Sequence, residues 1–174
     1  KKIGSFSITS SNEYKKYEPE KYDLAVMMDC SQCPIHEDRK DLFNFYVDKH
    51  SRTLRNNNVE PSFLMTWAYK DLPEMIVGLS DAYISAGNRN EAFVFPVGLA
   101  FQLAQEKFPD IDLYTPDKRH PSKAGTYLMA AVIYSSIYNY SPIGNTYDYG
   151  LGKNIHANLQ EIAWETIQRY QGRK

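Results

Sequence analysis

Short apolar runs alternate with longer amphipathic segments along most of this chain, and this alternation constrains the fold more than any other feature. The apolar runs have the length and composition of buried strands and span residues 22–28, 61–67 and 92–96. The segments that follow them carry apolar residues at helical spacing and span residues 37–55, 72–86 and 97–107. Elements in this order build βαβ units, so the sequence predicts a doubly wound α/β fold with a parallel sheet.

Two further helices are predicted in the C-terminal part of the chain. They span roughly residues 123–138 and 156–170, and Ser122 is placed to cap the first of them. Residues 139–154 are rich in Pro, Gly, Asn and Tyr and are expected to connect the two helices. A chain of 174 residues suits one domain with a sizeable core, so we expect residues 1–174 to form a single domain.

The predicted sheet has too few strands for its helices. Three parallel strands served by five helices would leave long apolar edges bare. The segment Ile3–Ser10 alternates apolar and polar side chains and is the spare strand candidate, which we place at an edge of the sheet. We therefore expect the first, central strand of the sheet to be missing from this chain.

The charge and hydropathy of the chain argue against two classes of partner. A net charge of −1 gives no global attraction to nucleic acid or to an anionic membrane. Lys, Asp or Glu interrupts each apolar run before it reaches the length of a membrane span. Residues 1–6 contain no apolar signal core, but cleavage removes such a signal. The compartment is therefore left open.

A carboxylate and an imidazole stand three positions apart in residues 117–122, Asp-Lys-Arg-His-Pro-Ser. An unperturbed His titrates near neutral pH, as a general base must, and a carboxylate on its other ring nitrogen fixes the tautomer. Pro121 disfavours the helical region for the residue before it, which keeps His120 in the loop. Asp117 and His120 are therefore candidates for the orienting carboxylate and the general base of a serine hydrolase.

The spacing alone has a simpler interpretation, in which Asp117 caps a turn and His120 is an exposed loop residue. The surrounding residues 112–128 read Asp-Leu-Tyr-Thr-Pro-Asp-Lys-Arg-His-Pro-Ser-Lys-Ala-Gly-Thr-Tyr-Leu. This block resembles the last block of the SGNH (GDSL) hydrolase superfamily, in which D-x-x-H-P-[ST]-x-x-G carries the catalytic Asp and His. The resemblance covers roughly residues 21–170, and shorter matching segments lie at 65–68, 96–101, 141–144 and 162–167.

The resemblance implies a three-layer α/β/α sandwich with a flavodoxin-like parallel sheet. It also implies hydrolysis of an ester, often an acyl group on a carbohydrate or lipid, with His120 as general base and Asp117 as its orienter. No metal or organic cofactor is required by this chemistry. Trp67, near the end of the second strand, is the candidate for contact with a small-molecule or carbohydrate ester substrate, and core packing explains it equally well.

Two features depart from the superfamily pattern. The Gly-Asp-Ser or Gly-Asn-Ser block, which supplies the nucleophile and an oxyanion-hole amide, is absent, and residues 3–7 resemble it only weakly. Met28 stands near a position where the related branch has Gln, and a thioether donates no hydrogen bond. Either an N-terminal segment or a second chain supplies the serine, or the chain is an SGNH-like binding or assembly module that has lost its nucleophile.

Cys30 and Cys33 form a Cys-x-x-Cys pair after the first predicted strand and are the only cysteines. Such a pair at a helix start supports disulfide exchange. Together with His36 it offers three zinc ligands, and a fourth would have to come from a distant residue. The alternative is two small, partly buried residues at the start of a loop.

Other residues offer weaker candidates. A set of tyrosines either stacks on a sugar ring or packs a helix against its loop, namely Tyr134, Tyr138, Tyr140, Tyr147 and Tyr149. His50 and His156 lie on predicted helix surfaces or ends and are assigned no chemistry. Lys118 and Arg119 are expected to be solvated, with contact to an anionic substrate group as the alternative.

Overall fold

The computed structural model describes residues 6–8, 11, 13–16 and 22–172. The elements in chain order are β1 (Phe6–Ile8), β2 (Tyr14–Lys16), β3 (Leu24–Met27), α1 (Lys40–Arg55), β4 (Glu60–Leu64), α2 (Met75–Arg89), β5 (Phe93–Phe95), α3 (Val97–Lys107), α4 (Lys123–Tyr138) and α5 (Lys153–Gln171). Strands β3, β4 and β5 form a parallel sheet in that order. The predicted α/β class with a parallel sheet is confirmed.

The chain divides into two compact units, each built from two segments. The N-terminal unit contains residues 1–64 and 81–94, and the C-terminal unit contains residues 65–80 and 95–174. The expectation that residues 1–174 act as a single domain stays a prediction.

In the N-terminal unit, β3 pairs with β4 in parallel, with Ala25 opposite Pro61. The hydroxyl of Ser62 donates to the carbonyl oxygen of Ala25 at 2.8 Å, which satisfies a buried polar group within the strand pair. Helix α1 packs against β4. A small apolar core of this unit consists of Tyr22, Ala25, Leu54 and Val59, with Met27 packed against it.

The prediction that the first apolar run, residues 22–28, forms a buried strand is wrong for part of that run. Val26 is 45% exposed and Met28, just beyond the strand, is 59% exposed. A continuous apolar run usually indicates a strand covered on both faces. Here the run forms β3, which lies at one end of the order β3-β4-β5.

The spare strand candidate is a strand, but it does not extend the parallel sheet. Phe6–Ile8 pairs antiparallel with Tyr14–Lys16 in a separate two-stranded sheet. The other residues of Ile3–Ser10 lie outside the described ranges. The predicted edge position is wrong because the backbone hydrogen bonds of β1 go to a hairpin partner close in sequence.

The C-terminal unit is mainly helical, and α3, α4 and α5 pack against one another. Their buried side chains include Leu128, Val132, Leu159, Ile162 and Ile167. Among the helices in the described ranges, none combines the length and apolar character that crossing a bilayer requires.

Helix bounds agree with the prediction for two of the five helices in the described residues. Helices α3 and α4 have the predicted bounds. The hydroxyl of Ser122 accepts from the N–H groups of Ala124 and Gly125 at 3.1 and 3.2 Å, so Ser122 is the N-cap of α4 as predicted.

The sequence predicts that Gly87 and Asn88 close α2 after residue 86, and this prediction is wrong. The helix continues to Arg89, and Gly87 is buried inside it. A Cβ atom on Gly87 would lie 2.5 Å from Cγ2 of Val94. Glycine is therefore needed here for close packing of the helix against the following strand and not for a C-cap. The second predicted strand, which is β4 in the structure, also ends earlier than predicted, at Leu64. Trp67 therefore lies in the loop after β4.

Candidate active site

A tight hairpin carries both candidate catalytic side chains. Tyr114 and Pro121 form an antiparallel bridge at its base. The N–H of Thr115 donates to the carbonyl oxygen of His120 at 2.9 Å, and the N–H of Ser122 donates to that of Leu113 at 2.8 Å. These bonds fix the hairpin directly before the first turn of α4, so its side chains start from a well-defined backbone.

The side chains of Asp117 and His120 lie in contact. Oδ2 of Asp117 is 2.6 Å from Nδ1 of His120. Oδ1 accepts from the N–H groups of Arg119 and His120 at 2.8 and 3.0 Å, and from the Thr115 hydroxyl at 2.7 Å. With one oxygen held by three donors, the other oxygen is aimed at the imidazole.

These hydrogen bonds keep the pKa of Asp117 well below its usual range. The bond from the His120 side chain contributes most, followed by the backbone N–H groups of His120 and Arg119 and the hydroxyl of Thr115. An ionised carboxylate only accepts hydrogen bonds, so the proton of a neutral His120 belongs on Nδ1 and Nε2 is the acceptor. The His120 side chain is 79% exposed, which leaves the ring accessible to a reactant.

None of the serines described in the C-terminal unit hydrogen-bonds to His120. The hydroxyls of Ser80 and Ser122 donate to backbone carbonyl oxygens, and that of Ser141 accepts from a backbone N–H. The hydroxyls of Ser135 and Ser136 are buried in α4 without a partner in the described part of the chain. The missing nucleophile motif is therefore not replaced by another serine of this unit.

The segment after β4 supports the hairpin. Nε1 of Trp67 donates to the carbonyl oxygen of Arg119 at 2.8 Å, and the indole stacks on Phe101 with ring centroids 4.9 Å apart. The hydroxyl of Tyr114 donates to the carbonyl oxygen of Ala68 at 2.8 Å, and burial raises the pKa of this tyrosine. Trp67 is only 8% exposed. These contacts favour the core-packing explanation of Trp67, and its contact with a substrate stays a prediction.

The side chain of Arg119 is held by two residues of the same segment. Its guanidinium pairs with the carboxylate of Asp71 and lies over the ring of Tyr69, 3.9 Å from the centroid. The hydrogen bond from Arg119 is the main cause that lowers the pKa of Asp71. These contacts leave the side chain of Arg119 35% exposed, so the expectation of solvation holds in part for Arg119 and holds for Lys118, whose side chain is 56% exposed.

Thr115, Tyr69 and Asp71 are the residues of this site that sequence reasoning missed. A Thr two positions before an Asp in a turn-rich segment is typical of local side-chain hydrogen bonds, and this signal could have identified Thr115. Tyr69 and Asp71 contact Arg119 only through the tertiary structure, and no local pattern marks them.

A separate apolar recess of about 400 Å³ lies within the N-terminal unit. It is lined by Met27, Met28, Asp29, Phe43, Tyr46, Val47, His50 and Phe63. Burial, and then the charge of Lys49, lowers the pKa of His50. Nδ1 of His50 is buried without a hydrogen-bond partner among the described residues. His50 lacks the carboxylate contact that His120 has, so the geometry assigns it no acid–base role.

The two cysteines form a disulfide, with Cα atoms 5.2 Å apart. Covalently joined sulfurs do not act as two thiolate ligands, which argues against the zinc alternative in this state. Among the described residues, Asp29 and not His36 brings its ligand atom within 4.8 Å of both sulfurs. The alternative of two small residues at the start of a loop, which assigns the pair no chemistry, stays open, with Cys30 exposed and Cys33 buried.

The five candidate tyrosines are all exposed, from 38% at Tyr134 to 66% at Tyr140 and Tyr147. The rings of Tyr134 and Tyr138 lie 5.2 Å apart, and those of Tyr147 and Tyr149 lie 6.3 Å apart. Packing of a helix against its loop does not bury these rings, so stacking on a sugar ring stays a prediction.

No protein-family model matches the sequence, and no curated protein matches it. Two solved structures are similar in fold. A DUF4886 family protein from Bacteroides uniformis has a TM-score of 0.75 and 18% identity, covering 94% of this chain and 72% of that one. A "putative SGNH hydrolase" from Slackia heliotrinireducens has a TM-score of 0.60 and 23% identity, covering 68% of this chain and 67% of that one.

At these identities the similarity establishes the fold. The chain has an SGNH-like α/β/α fold, with a three-stranded parallel sheet and five helices in the described residues. The fold that the resemblance of residues 112–128 implied is confirmed. The catalytic roles of Asp117 and His120 stay predictions.

Proposed function

We propose that this chain carries the acid–base part of an SGNH-type ester hydrolase, with His120 as general base and Asp117 as its orienting carboxylate. One observation carries the proposal. Oδ2 of Asp117 lies 2.6 Å from Nδ1 of His120, while three other donors hold the second oxygen of the same carboxylate. A carboxylate that only capped the turn would not need its other oxygen aimed at the imidazole.

In this reaction a serine hydroxyl attacks the ester carbonyl while Nε2 of His120 takes its proton. The imidazolium gives that proton to the departing alkoxide, and an acyl-serine forms. Water then attacks the acyl group with His120 again as base, which releases the acid and restores the serine. Asp117 keeps the imidazole in the required tautomer and stabilises its cationic form. No metal or organic cofactor enters these steps.

The serine in this proposal comes from an N-terminal segment or a second chain that completes the sheet. Apolar side chains exposed on β3, directly after it and on α1 support a missing neighbour, because edge strands with uncovered apolar residues readily accept a further strand. In the N-terminal unit these side chains are Val26, Met28, Leu42, Phe45 and Tyr46.

The proposed substrate is a carbohydrate or lipid ester, or another small-molecule ester. The exposed tyrosines of residues 134–149 support a carbohydrate, because aromatic faces pack on the apolar faces of sugar rings. Trp67 is proposed to position His120 by fixing the hairpin that carries it, and its contact with the substrate stays a prediction.

A fluorophosphonate probe tests the proposal, because it labels only a serine activated by a base. Native material that contains this chain is labelled, separated by mass and assayed for hydrolysis of an aryl acetate. We expect a serine of a co-purifying polypeptide or of an adjoining segment to take the label. His120→Ala should abolish both labelling and hydrolysis, while His36→Ala, a histidine of the N-terminal unit, should leave both intact.

A non-catalytic binding or assembly module is the second candidate. The exposed thioether of Met28 favours it, since a hydrogen-bond donor is expected near this position in an oxyanion site. So does the lack of a serine bonded to His120 in the described C-terminal unit. If the chain purifies alone, takes no label and hydrolyses no aryl ester, the hydrolase proposal is contradicted and this second function is supported.

A further inference from the structure

The disulfide of the N-terminal unit joins one exposed cysteine to one buried cysteine. Cys30 is exposed, whereas Cys33 is only 6% exposed. A thiol that reduces a disulfide must reach one sulfur and expel the other as the leaving group. The exposure of Cys30 and the burial of Cys33 therefore direct attack to Sγ of Cys30 and make Cys33 the leaving thiolate.

The backbone around the pair also suits the reduced state. The N–H of Cys33 lies 3.1 Å from Sγ of Cys30, so a thiolate on Cys30 would receive a charge-assisted hydrogen bond. The N–H of Cys30 is bonded to the carboxylate of the preceding residue, Asp29, at 2.7 Å.

A purely structural role explains the bond less well. The bridge links residues only three positions apart, and closing so short a loop removes little chain entropy. Backbone hydrogen bonds already form the turn. The N–H of Cys33 donates to the carbonyl oxygen of Cys30 at 3.2 Å, and those of Ile35 and His36 donate to Gln32 at 3.0 and 2.9 Å.

We propose that Cys30–Cys33 is a thiol–disulfide exchange site, with Cys30 as the exchanging sulfur and Cys33 as the resolving one. The reaction partner is a thiol, either of low molecular weight or on a protein. A recess of about 520 Å³ lies beside Cys30 and gives room for such a group. Its lining includes the polar residues Gln32, His36, Asp38 and Arg39.

The exchange balances in two steps. A thiolate of the partner attacks Sγ of Cys30, the Cys30–Cys33 bond breaks, and its electron pair leaves on Sγ of Cys33, which takes a proton. A second thiolate then attacks the partner sulfur of the mixed disulfide and expels Cys30 as thiolate. Two thiols are oxidised to one disulfide, and the protein gains the two electrons as a dithiol.

The test uses the folded full chain in buffers of graded reduced and oxidised glutathione. After acid quenching and alkylation, intact mass counts the free thiols, and far-UV circular dichroism confirms that the chain stays folded. We expect reversible conversion between disulfide and dithiol in the folded protein. Reduction that occurs only after denaturation would overturn the proposal.

Two variants test the assigned roles of the sulfurs. Cys33→Ser should accumulate a mixed disulfide between Cys30 and glutathione, and Cys30→Ser should form at least about tenfold less, because Cys33 is buried. Equal trapping contradicts the assignment. If either variant fails to fold, alkylation rates in the briefly reduced wild type decide the question. Cys30 should react about tenfold faster than Cys33, and equal rates overturn the proposal.

Reduced thioredoxin replaces glutathione in a parallel arm. Reduction by thioredoxin alone assigns a protein dithiol as the partner, and reduction by glutathione alone assigns a low-molecular-weight thiol. Reduction by neither overturns the proposal. The proposal does not depend on ester hydrolysis, so its failure leaves the proposed function of His120 untouched.

Discussion

The indole nitrogen of Trp67 and the carbonyl oxygen of Arg119 lie 2.8 Å apart, and this hydrogen bond ties the segment after β4 to the hairpin that carries Asp117 and His120. The donor is fixed because Trp67 is buried and stacks on Phe101. The acceptor belongs to the residue directly before His120. The position of the candidate general base therefore depends on a tryptophan ring that itself packs in the core.

Trp67→Phe should destabilise the chain while preserving the ring stacking on Phe101. It removes the N–H and leaves the partly buried carbonyl of Arg119 without this donor, which costs about 1–2 kcal/mol of unfolding free energy. Urea unfolding followed by circular dichroism measures the change. Trp164→Phe in α5 is the matched control, since its indole forms no hydrogen bond within the described residues. Equal losses in the two variants would contradict the role given to the Trp67 bond.

Asp117→Asn should reverse the tautomer of neutral His120. Three donors surround Oδ1 of Asp117, so the amide oxygen of Asn takes that place and its NH₂ group faces Nδ1 of the imidazole. The NH₂ group donates to Nδ1, and the ring proton must then sit on Nε2. Long-range ¹H–¹⁵N spectra at a pH where His120 is neutral distinguish the two forms.

The control for this experiment is Asp110→Asn, because Asp110 is an exposed aspartate of the same unit. In this variant neutral His120 should keep its proton on Nδ1. In material that contains the nucleophile, Asp117→Asn should also slow ester hydrolysis by about 10⁴-fold, as expected for a general base held in the wrong tautomer. An unchanged tautomer in the variant would remove the orienting role from Asp117.

Local signals in the sequence predict the parts of the fold that local interactions determine. Ser122 caps α4 where the sequence places it, and Asp117 meets His120 because residues three apart in a tight turn are close. The end of α2 was mispredicted because Gly87 serves a packing contact with Val94, which sequence spacing does not reveal. The state of Cys30 and Cys33 was open because a Cys-x-x-Cys spacing fits a thiol pair, a metal site or a disulfide.

Gly125→Ala should destabilise the chain by about 1–3 kcal/mol, the usual cost of overpacking a buried site. A Cβ atom at Gly125 would collide with the carbonyl oxygen of Leu113 and lie 3.0 Å from Cζ of Phe101. The backbone of the hairpin would have to shift, since a carbonyl oxygen cannot rotate away like a flexible side chain. This explains the glycine of the D-x-x-H-P-S-x-x-G block.

Thermal or urea unfolding measures the effect of Gly125→Ala. Gly172→Ala is the control, because its Cβ atom would meet its nearest neighbour at 3.4 Å and its φ of −73° suits alanine. We expect the control to change the unfolding free energy by less than about 0.5 kcal/mol. A Gly125→Ala variant as stable as the control would show that the hairpin accommodates the methyl group.

Gln160→Leu should loosen the connection between α4 and α5. The buried amide donates to the hydroxyl of Tyr127 and the carbonyl oxygen of Asn145, each at 2.8 Å, and accepts from the N–H of Gly144 at 3.0 Å. Leucine has a similar size but leaves the carbonyl oxygen of Asn145 and the N–H of Gly144 without this partner, at a cost of about 2–3 kcal/mol. The hydroxyl of Tyr127 still donates to the carbonyl oxygen of Tyr147. Hydrogen exchange should show faster exchange in residues 143–148, and unchanged exchange there would contradict this anchoring role. Gln168→Leu, exposed on the same helix, is the control.

The unfolding free energy should fall in acid because several carboxylates have a lower pKa in the folded state than in the unfolded chain. Hydrogen bonds from Arg119, Lys70 and His120 lower the pKa of Asp71, Asp112 and Asp117, respectively. The unfolded state then binds more protons than the folded state as the pH falls toward the ordinary aspartate value of about 3.9. This stabilisation is complete above that value and is lost as the pH falls through the lower pKa values of the folded state.

We therefore expect wild-type stability, measured by urea unfolding at stepped pH, to decrease from about pH 5 downward. Asp117→Asn removes one of the three carboxylates and should flatten this decrease, whereas Asp110→Asn should follow the wild type. The comparison concerns the slope with pH and not the stability at neutral pH, because the amide also weakens the hairpin at all pH values. The unfolding free energies of Asp117→Asn and the wild type are compared between about pH 5 and pH 3. If both fall by the same amount, the hydrogen bonds of the ionised Asp117 do not stabilise the hairpin.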